Sequence, residues 1–163
     1  MKVLFVTPEA YPFAKTGGLA DVSGSLPIAL RKLGCEVSVI MPYYASVRRY
    51  TEAFPVCVQD LPVTLGNRLL PADIRHGWLD HKIPIYFVQR DEFYDRTNLY
   101  GTPKGDYFDN AERFIYFCKA VINWCQTANL QPDIIHCNDW QTALIPAMMR
   151  FGVDRYYFDT IAT

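Results

Sequence analysis

The sequence has no surplus of either charge and no long hydrophobic run. Its 16 basic and 17 acidic residues leave a net charge of −1, and no block of Lys or Arg concentrates positive charge. A protein that binds a phosphate backbone needs such a surplus, so nucleic acid is not an expected partner. Charges or prolines interrupt each apolar stretch before it could span a bilayer, and the first apolar run is too short for a signal peptide. We therefore expect a soluble, intracellular protein with no membrane partner.

The sequence also lacks a pattern of paired cysteines. Its five cysteines form no C-x-x-C pair, are odd in number and lie mostly in apolar segments: Cys35, Cys57, Cys118, Cys125 and Cys137. A disulfide or zinc framework needs regular spacing, whereas isolated cysteines in apolar segments are typical of buried thiols in a reducing compartment. The sequence predicts free thiols and no metal site.

The first third of the chain has the pattern of a βαβ unit. Residues 3–6 are all apolar, and residues 37–41 are apolar except for Ser38; a proline follows each run within two residues. Such runs are typical of strands buried on both faces. Between them, apolar residues recur at helical spacing over residues 19–33, and Gly34 provides a C-terminal stop. Two such strands joined by a helix predict parallel pairing through a right-handed crossover.

The remaining pattern alternates strands and helices. Short strands are predicted at residues 56–65, 69–78, 83–88 and 134–137, and the start of another at 159–163; helices are predicted at 106–130 and 140–151. Near-continuous apolar strands alternating with helices favour an α/β fold with a doubly wound, Rossmann-like sheet. We assign residues 1–163 to one domain. The absence of a helix after the last strand suggests a fragment of a longer protein.

The loop after the first strand is the strongest candidate for a ligand site. Ligands of open α/β sheets bind beyond the carboxyl ends of the strands. Here Lys15 precedes adjacent glycines, Gly17 and Gly18, in a sequence that is neither G-x-G-x-x-G nor G-x-x-x-x-G-K-[ST], which argues against a nicotinamide site or a P-loop. On physical grounds alone, the glycine pair is either an ordinary tight turn or a cradle of backbone N–H groups for an anion.

Three segments resemble bacterial glycogen synthases and plant or algal starch synthases. The opening K-V-L-F-V-T-P-E-A-Y-P-F-A-K-T-G-G-L-A-D-V includes the family signature K-T-G-G-L-A-D-V at residues 15–22. The segments Y-F-D-N-A-E-R-F at 107–114 and D-I-I-H-C-N-D-W-Q at 133–141 follow in the family's order. The resemblance therefore covers essentially the whole chain.

The resemblance implies a retaining glycosyltransferase with two Rossmann-like domains around a cleft, the GT-B arrangement. Such an enzyme transfers glucose from ADP-glucose to the non-reducing end of an α-1,4-glucan, glycogen or starch, without a metal or other cofactor. The second, nucleotide-binding domain is absent here, so this part alone is expected to be inactive. The implied compartment is the cytoplasm, or the plastid stroma in a plant or alga.

The same resemblance implies a donor site in the first loop. Lys15 matches the family lysine at the sugar-nucleotide phosphates and is assigned a catalytic role as well as donor binding. Gly17 and Gly18 would admit the donor, and Asp21 would fix the loop or a donor hydroxyl. The alternatives are a solvated lysine for Lys15 and, for Asp21, a first-turn carboxylate that interacts with the helix dipole.

His136 is the second catalytic candidate, as a contact to the transferred glucose. It lies in the family's H-x-[HN]-D-W context, where a lone strand histidine would otherwise be a core residue. Asn138 and Gln141 stand where many relatives carry histidine, so neither is assigned an acid/base role. Asp139 is predicted to cap the next helix and Trp140 to pack against the sheet.

Two further residues are assigned to the acceptor glucan. Asp109 lies in the matched F-D-N-A-E-R-F segment, with a helix N-cap as its alternative. Tyr94 resembles a family tyrosine in a Tyr-Asp-Arg segment that faces the acceptor, with an ordinary loop tyrosine as its alternative. Of the other aromatic candidates for sugar stacking, Trp78 and Trp124 are predicted to pack in the core instead.

Competing functions remain open from the sequence. The chain could be a catalytically silent glucan-binding or regulatory module, or a glycosyltransferase that uses another nucleotide sugar or acceptor. The carboxylates Asp80, Asp91, Glu92 and Asp95 could suggest a hydrolase pair, but they lie in turn-rich segments where acidic surface residues are common.

Overall fold

A computed structural model describes residues 1–152 and 155–163 of the chain. Its strands are β1 (Lys2–Val6), β2 (Glu36–Pro42), β3 (Val56–Leu61), β4 (Thr64–Leu65), β5 (Arg68–Leu69), β6 (Ala72–Leu79), β7 (Ile83–Gln89), β8 (Gly101–Thr102), β9 (Gly105–Asp106) and β10 (Ile134–Cys137). Its α-helices are α1 (Leu19–Lys32), α2 (Asp91–Tyr94), α3 (Asn110–Thr127), α4 (Leu144–Phe151) and α5 (Arg155–Phe158), with 3-10 segments at Val47–Ala53 and Trp140–Thr142. No helix in these two ranges is both long and apolar enough to cross a bilayer.

Six strands form one sheet in the order β10-β1-β2-β7-β6-β3. The first four are parallel, and β6 and β3 extend the sheet in antiparallel fashion. Strand β1 is central because Val3 pairs with Val37 of β2 on one side and with Ile134 of β10 on the other. The predicted α/β fold and its opening βαβ unit are confirmed, while β4 with β5 and β8 with β9 form separate hairpins.

Helices cover both faces of the sheet. The connection from β1 to β2, which contains α1, runs in one direction along the strand order, and the connection from β7 to β10, which contains α3, runs in the other. Because both crossovers are right-handed, α1 and α3 lie on opposite faces of the sheet. Adjacent residues of β7 show the two layers: Tyr86 contacts Trp124 of α3, with ring centroids 4.5 Å apart, whereas Phe87 contacts Phe13 in the loop before α1. The sheet is therefore doubly wound.

The direction of winding reverses between β1 and β10. From β1 the chain passes through α1 to β2, while from β10 it passes through α4 to Ala162, which bridges Ile134 in parallel on the outer edge. Loops leaving two such neighbouring strands diverge and leave a crevice at their carboxyl ends. This topology places the candidate site between the loop after β1 and the residues after β10.

Several predicted boundaries differ from the observed ones. The predicted helix at 140–151 is divided, since a 3-10 turn precedes α4, and the predicted strand at 159–163 is reduced to the single Ala162 bridge. Helix α3 is shorter than predicted because residues 101–106 form the β8–β9 hairpin. Helix α1 ends as predicted, because Gly34 adopts φ +88°, a conformation that glycine reaches without steric cost.

The buried residues confirm some core predictions and correct others. Trp124 is buried as predicted, but Trp78 is 52% exposed and the prediction that it packs in the core is wrong. All five cysteines are free thiols. Burial raises the pKa of Cys118 and of Cys125 to about 12, so both are protonated at neutral pH, while Cys57 is exposed.

Candidate functional site

The loop from Thr7 to Gly18 joins the carboxyl end of β1 to the start of α1. Its first half is held against the fold, since the backbone N–H groups of Phe13 and Ala14 both donate to the carbonyl of Ala10. Its second half carries Lys15, whose side chain is exposed. The loop therefore presents a cation at the carboxyl edge of the sheet, next to a helix N-terminus.

Lys15 and Asp21 form an ion pair across this loop. The Lys15 ammonium donates to both carboxylate oxygens of Asp21, at 2.6 and 2.7 Å, and both side chains are about half exposed. An exposed pair of this kind stabilises a fold by only about 0–1 kcal/mol. The ion pair therefore positions the Lys15 ammonium but binds it only weakly to Asp21.

Gly17 and Gly18 leave open space where side chains would stand. A Cβ built on either glycine meets no atom within 4 Å, and neither backbone has a positive φ. The turn therefore does not itself require glycine, which removes the tight-turn reason for the pair. Gly18 is the N-cap of α1, and within the described ranges no side chain caps this end. The Asp21 N–H donates to the Gly18 carbonyl, so the N–H groups that this helix end offers to a ligand are those before Asp21.

A buried carboxylate lies directly beneath the loop. Glu9 is 3% exposed. One of its oxygens, Oε2, accepts from the Thr16 backbone N–H at 2.6 Å, and the other, Oε1, accepts from the Thr16 hydroxyl at 2.5 Å and the Tyr100 hydroxyl at 2.7 Å. Burial raises the pKa of Tyr100, with the neighbouring Tyr44 and Glu9 adding to the effect, so its hydroxyl remains a donor.

His136 lies on β10 opposite Phe5 of β1. Its ring stacks on the Phe5 ring with centroids 4.8 Å apart and planes within 8°. The Nδ1 atom is buried and has no hydrogen-bond partner among the described residues. A buried polar atom without a protein partner is uncommon and fits a position that a water or a ligand hydroxyl completes.

Asn138 and Asp139, the two residues after β10, lie on the side of the crevice opposite the loop after β1. Asn138 donates from Nδ2 to the carbonyls of Val6 and His136, at 2.9 and 3.0 Å, and its own N–H also donates to Val6. Asp139 accepts from the Trp140 N–H at 2.7 Å, which confirms the predicted cap, and it does so with a positive φ of 64°. Such a conformation is uncommon for a residue with a side chain and recurs at functional sites.

Trp140 does not pack against the sheet as predicted. It is 53% exposed, and its ring meets the edge of Phe114 in α3 at 5.1 Å. The ring therefore contacts α3 from the 3-10 turn Trp140–Thr142, which precedes α4.

Asp109 occupies the N-cap position of α3 but makes no capping hydrogen bond. Its carboxylate instead accepts from both terminal nitrogens of Arg96, at 2.8 and 2.5 Å. These hydrogen bonds from Arg96 hold the pKa of Asp109 below its ordinary value, despite partial burial. The alternative role as a helix N-cap is therefore not observed, and Asp109 is an ionised, partly accessible carboxylate.

Tyr94 is placed differently from its predicted role. It is fully buried, and its hydroxyl donates to the Arg113 carbonyl at 2.9 Å. Arg113 is also buried, donates to the carbonyls of Phe93 and Leu99, and lies 5.8 Å from the Tyr94 ring centre. Neither the ring face nor the hydroxyl of Tyr94 is open to a sugar in this structure, so the predicted acceptor contact has no support here.

Comparison with known proteins identifies the family. A family model described as the starch synthase catalytic domain matches residues 2–163. The chain belongs to this starch synthase family. It is 43% identical over 164 residues to glycogen synthase 2 of Geobacter sulfurreducens, covering all of this chain and 34% of that protein. It is 46% identical over 152 residues to a glycogen synthase of Moorella thermoacetica, covering 92% of this chain and 29% of that protein.

A solved structure of the starch synthase family has the same fold. It is the catalytic domain of starch synthase IV from Arabidopsis thaliana, bound to ADP and acarbose; the TM-score is 0.83 at 28% identity, over 98% of this chain and 32% of that one. The chain thus spans about a third of the length of the relatives it matches. The predicted family is confirmed, and so is the likeness to its GT-B catalytic domain.

The residues predicted to bind the sugar-nucleotide donor lie close together in this family member. They also contact residues that the sequence did not indicate as part of the site. Lys15 and the glycine pair lie in one loop, Asp21 lies in the first turn of α1 that follows it, and Asn138 ties the end of β10 to the end of β1. The sequence analysis missed Glu9, although it lies in the quoted opening motif. Its partner Tyr100 is 91 residues away, and no local pattern reveals such a pairing.

Proposed function

We propose that the protein containing this chain is a retaining glucosyltransferase that extends an α-1,4-glucan with glucose from ADP-glucose. The chain supplies the wall of the cleft that bears the loop of Lys15, Gly17 and Gly18. Membership of the starch synthase family over residues 2–163 is the observation that carries this proposal. The ADP and acarbose held by the Arabidopsis relative support a nucleotide diphosphate and a glucan-like ligand as the partners.

The loop is suited to stabilise a departing diphosphate. When the bond from glucose to ADP breaks, negative charge develops on the phosphate oxygen. An ammonium and fixed N–H dipoles that face this oxygen stabilise the transition state more than the ground state. Lys15 supplies the ammonium, and the uncapped first turn of α1 supplies the dipoles.

The open space above Gly17 and Gly18 supports close approach of the donor. A methyl group on either residue would project into the space that a phosphate needs. Asp21 holds Lys15 in the absence of donor, and a diphosphate carries more charge than one carboxylate. We infer that the donor replaces Asp21 as the main partner of Lys15, at a cost limited by the weakness of the exposed pair.

His136 and Asp109 are assigned to the sugars. The partnerless Nδ1 of His136 fits a hydrogen bond to a hydroxyl of the transferred glucose, while stacking on Phe5 fixes the ring. Asp109, ionised and held by Arg96, stays assigned to the acceptor glucan.

Replacing Lys15 in the full-length protein tests the proposal. Lys15→Ala should lower kcat/KM for ADP-glucose by about 10²-fold or more, with part of the loss in kcat, because one preorganised contact to the leaving group is lost. Radiolabelled glucose incorporated into glycogen measures the rate.

The matched control is Lys82→Ala, since Lys82 is exposed in the β6–β7 turn at the opposite edge of the sheet. Its rate should match that of the parent. Full-length parent protein that binds glycogen but transfers no glucose would indicate the silent module, and transfer from another nucleotide sugar in preference to ADP-glucose would indicate a different donor.

A further inference from the structure

We propose that Glu9 is a positioning residue: it holds Thr16, and through it Lys15 and Gly17, in the conformation that receives the donor diphosphate. This inference rests on the proposed function. Glu9 lies beneath the loop and acts through the backbone, so it need not touch the donor.

The Glu9 carboxylate accepts three hydrogen bonds. Two of its three hydrogen bonds go to Thr16, one to the backbone and one to the hydroxyl, so they fix both the position and the orientation of one residue. All three are 2.5–2.7 Å long, in the range of the stronger, charge-assisted bonds. Because Glu9 is buried, water has little access to the carboxylate oxygens that accept these bonds.

Thr16 is the point at which the loop needs an anchor. Its neighbours Lys15 and Gly17 are exposed, and a glycine has no side chain with which to hold itself in place. Fixing Thr16 from below therefore removes backbone freedom from both residues that face the donor. A loop that is ordered before binding loses less entropy on binding and keeps its dipoles aligned during reaction.

Tyr100 connects this anchor to the start of α3. Its hydroxyl donates to Glu9, while its backbone carbonyl accepts from the Asn110 side chain at 2.8 Å and the Tyr107 N–H at 2.9 Å. The donor loop is thereby tied to the segment that carries Asp109. We infer that Glu9 sets the loop relative to the acceptor side of the site as well.

Removing the charge of Glu9 would change ADP affinity in opposite directions if Glu9 acted by charge and if it acted by positioning. A carboxylate behind the loop opposes the binding of a diphosphate, so its removal on electrostatic grounds alone would tighten ADP binding. Positioning predicts the reverse. Glu9→Gln keeps the size of the side chain and removes the charge, so the direction of the change in ADP affinity separates the two effects.

Hydrogen–deuterium exchange of the full-length protein tests the anchor without reference to activity. In Glu9→Gln and Thr16→Val, the peptide covering residues 12–22 should exchange at least several-fold faster than in the parent, because the Thr16 clamp is lost. Thr16→Ser, which keeps both donors, should restore the parent rate. Unchanged exchange in Glu9→Gln would overturn the inference, even if the protein transferred no glucose at all.

Kinetics of the same variants test the catalytic consequence. Glu9→Gln should lower kcat by about 10-fold and weaken ADP binding in calorimetry, and Tyr100→Phe should lower kcat less because one of three hydrogen bonds is lost. The control is Tyr156→Phe, since Tyr156 is an exposed residue of α5 and is not part of the proposed site. It should leave kcat unchanged.

A double-mutant cycle with Lys15→Ala completes the test. If Glu9 acts by placing Lys15, Glu9→Gln should change kcat by less than about 3-fold once Lys15 is absent. Effects that multiply fully, or ADP binding that tightens in Glu9→Gln, contradict the inference. A parent protein without transferase activity would instead refute the proposed function, and the exchange and ADP-binding results would still decide the role of Glu9.

Discussion

At the scale of single residues, His136 and Asn138 are two positions apart but make different kinds of contact. The His136 ring is stacked and keeps one nitrogen without a protein partner. The Asn138 amide, in contrast, joins two strands through hydrogen bonds to Val6 and His136. Both contribute to the crevice, and the Nδ1 atom of His136 is the one that we assign to a ligand.

His136→Ala should lower turnover of the full-length protein by at least about 10²-fold and leave ADP binding within a few-fold of the parent. On the proposed assignment, this variant removes a contact that positions glucose, whereas the proposed contacts to the diphosphate belong to the loop of Lys15. Initial rates and calorimetry measure the two effects. An abolished ADP affinity would assign His136 to the nucleotide, and an unchanged turnover would remove it from the site.

Asn138→Ala, the neighbouring variant for comparison with His136→Ala, should also change the stability of the fold. Neither Asn138 nor Gln141 is assigned to glucose, so Asn138→Ala and Gln141→Ala should affect the chemistry of transfer less than His136→Ala. The structure shows that Asn138→Ala leaves the buried carbonyl of Val6 with one donor fewer, which should cost about 1–3 kcal/mol in the free energy of unfolding. Urea denaturation should reveal this loss, so reduced activity of Asn138→Ala reflects stability as well as chemistry.

At the scale of elements, helix α1 has glycine before its start and after its end, for different reasons. Gly34 takes a positive φ, whereas Gly17 does not and faces open space. The residue pattern predicted both ends of α1, because capping is local. It did not distinguish a glycine needed by the backbone from one that leaves room for a ligand.

These two glycines should respond oppositely to alanine. Gly34→Ala should destabilise the protein by about 1–2 kcal/mol, because a side chain disfavours this left-handed conformation, and should leave the KM for ADP-glucose unchanged. Gly17→Ala should leave the denaturation midpoint near that of the parent and raise this KM several-fold. The reverse pattern, with Gly17→Ala unfolding readily, would mean that the loop needs its glycine for its own conformation.

The Arg96–Asp109 pair joins the segment after α2 to the start of α3 and should make stability depend on pH. The folded-state pKa of Asp109 lies below its ordinary value of 3.8. Its contribution is therefore fully present above pH 3.8 and is lost as the pH falls through the lower, folded-state pKa. Above pH 5, Asp109→Asn should lower the free energy of unfolding by a constant amount of about 1–2 kcal/mol.

Urea titrations at several pH values measure this effect. The difference between the parent and Asp109→Asn should shrink as the pH drops below 3.8. Asp106→Asn is the control, since Asp106 is exposed at the end of the β8–β9 hairpin. A difference that persists unchanged at pH 2.5 would mean that Asp109 stabilises the fold through packing rather than through its charge.

At the scale of the whole molecule, the sequence predicted what depends on local pattern and missed what depends on distant contacts. The βαβ unit, the long helix and the donor loop were visible as runs and periodicities. The antiparallel extension β6-β3, the burial of Tyr94 and the Glu9–Tyr100 bond depend on pairings across the fold, which apolar periodicity does not encode. Trp78 and Trp140 were misplaced for the same reason, because composition does not show which face of an element remains uncovered.

The limited coverage of the relatives leads to a whole-molecule prediction. The chain spans about a third of their length, and a donor in a cleft must be held from both sides. The 163 residues alone should therefore show no transfer of glucose from ADP-glucose to glycogen, whereas the full-length protein should. The incorporation assay described for Lys15 measures both, and measurable turnover by the 163 residues would refute a cleft built from two domains.

The central place of β1 also has a consequence for biosynthesis. Strand β1 and its neighbour β2 leave the ribosome early, but β10, which covers the other edge of β1, begins only at Ile134. Translation of the roughly 90 residues between β2 and β10 takes about 5–20 s at 5–20 residues per second. During that interval the backbone N–H and C=O groups on one edge of β1 have no strand partner, and the loop that bears Lys15 lacks the residues that follow β10. An unpaired strand edge is a template for aggregation, so we expect this edge to need protection during synthesis, and we expect the crevice between β1 and β10 to form late.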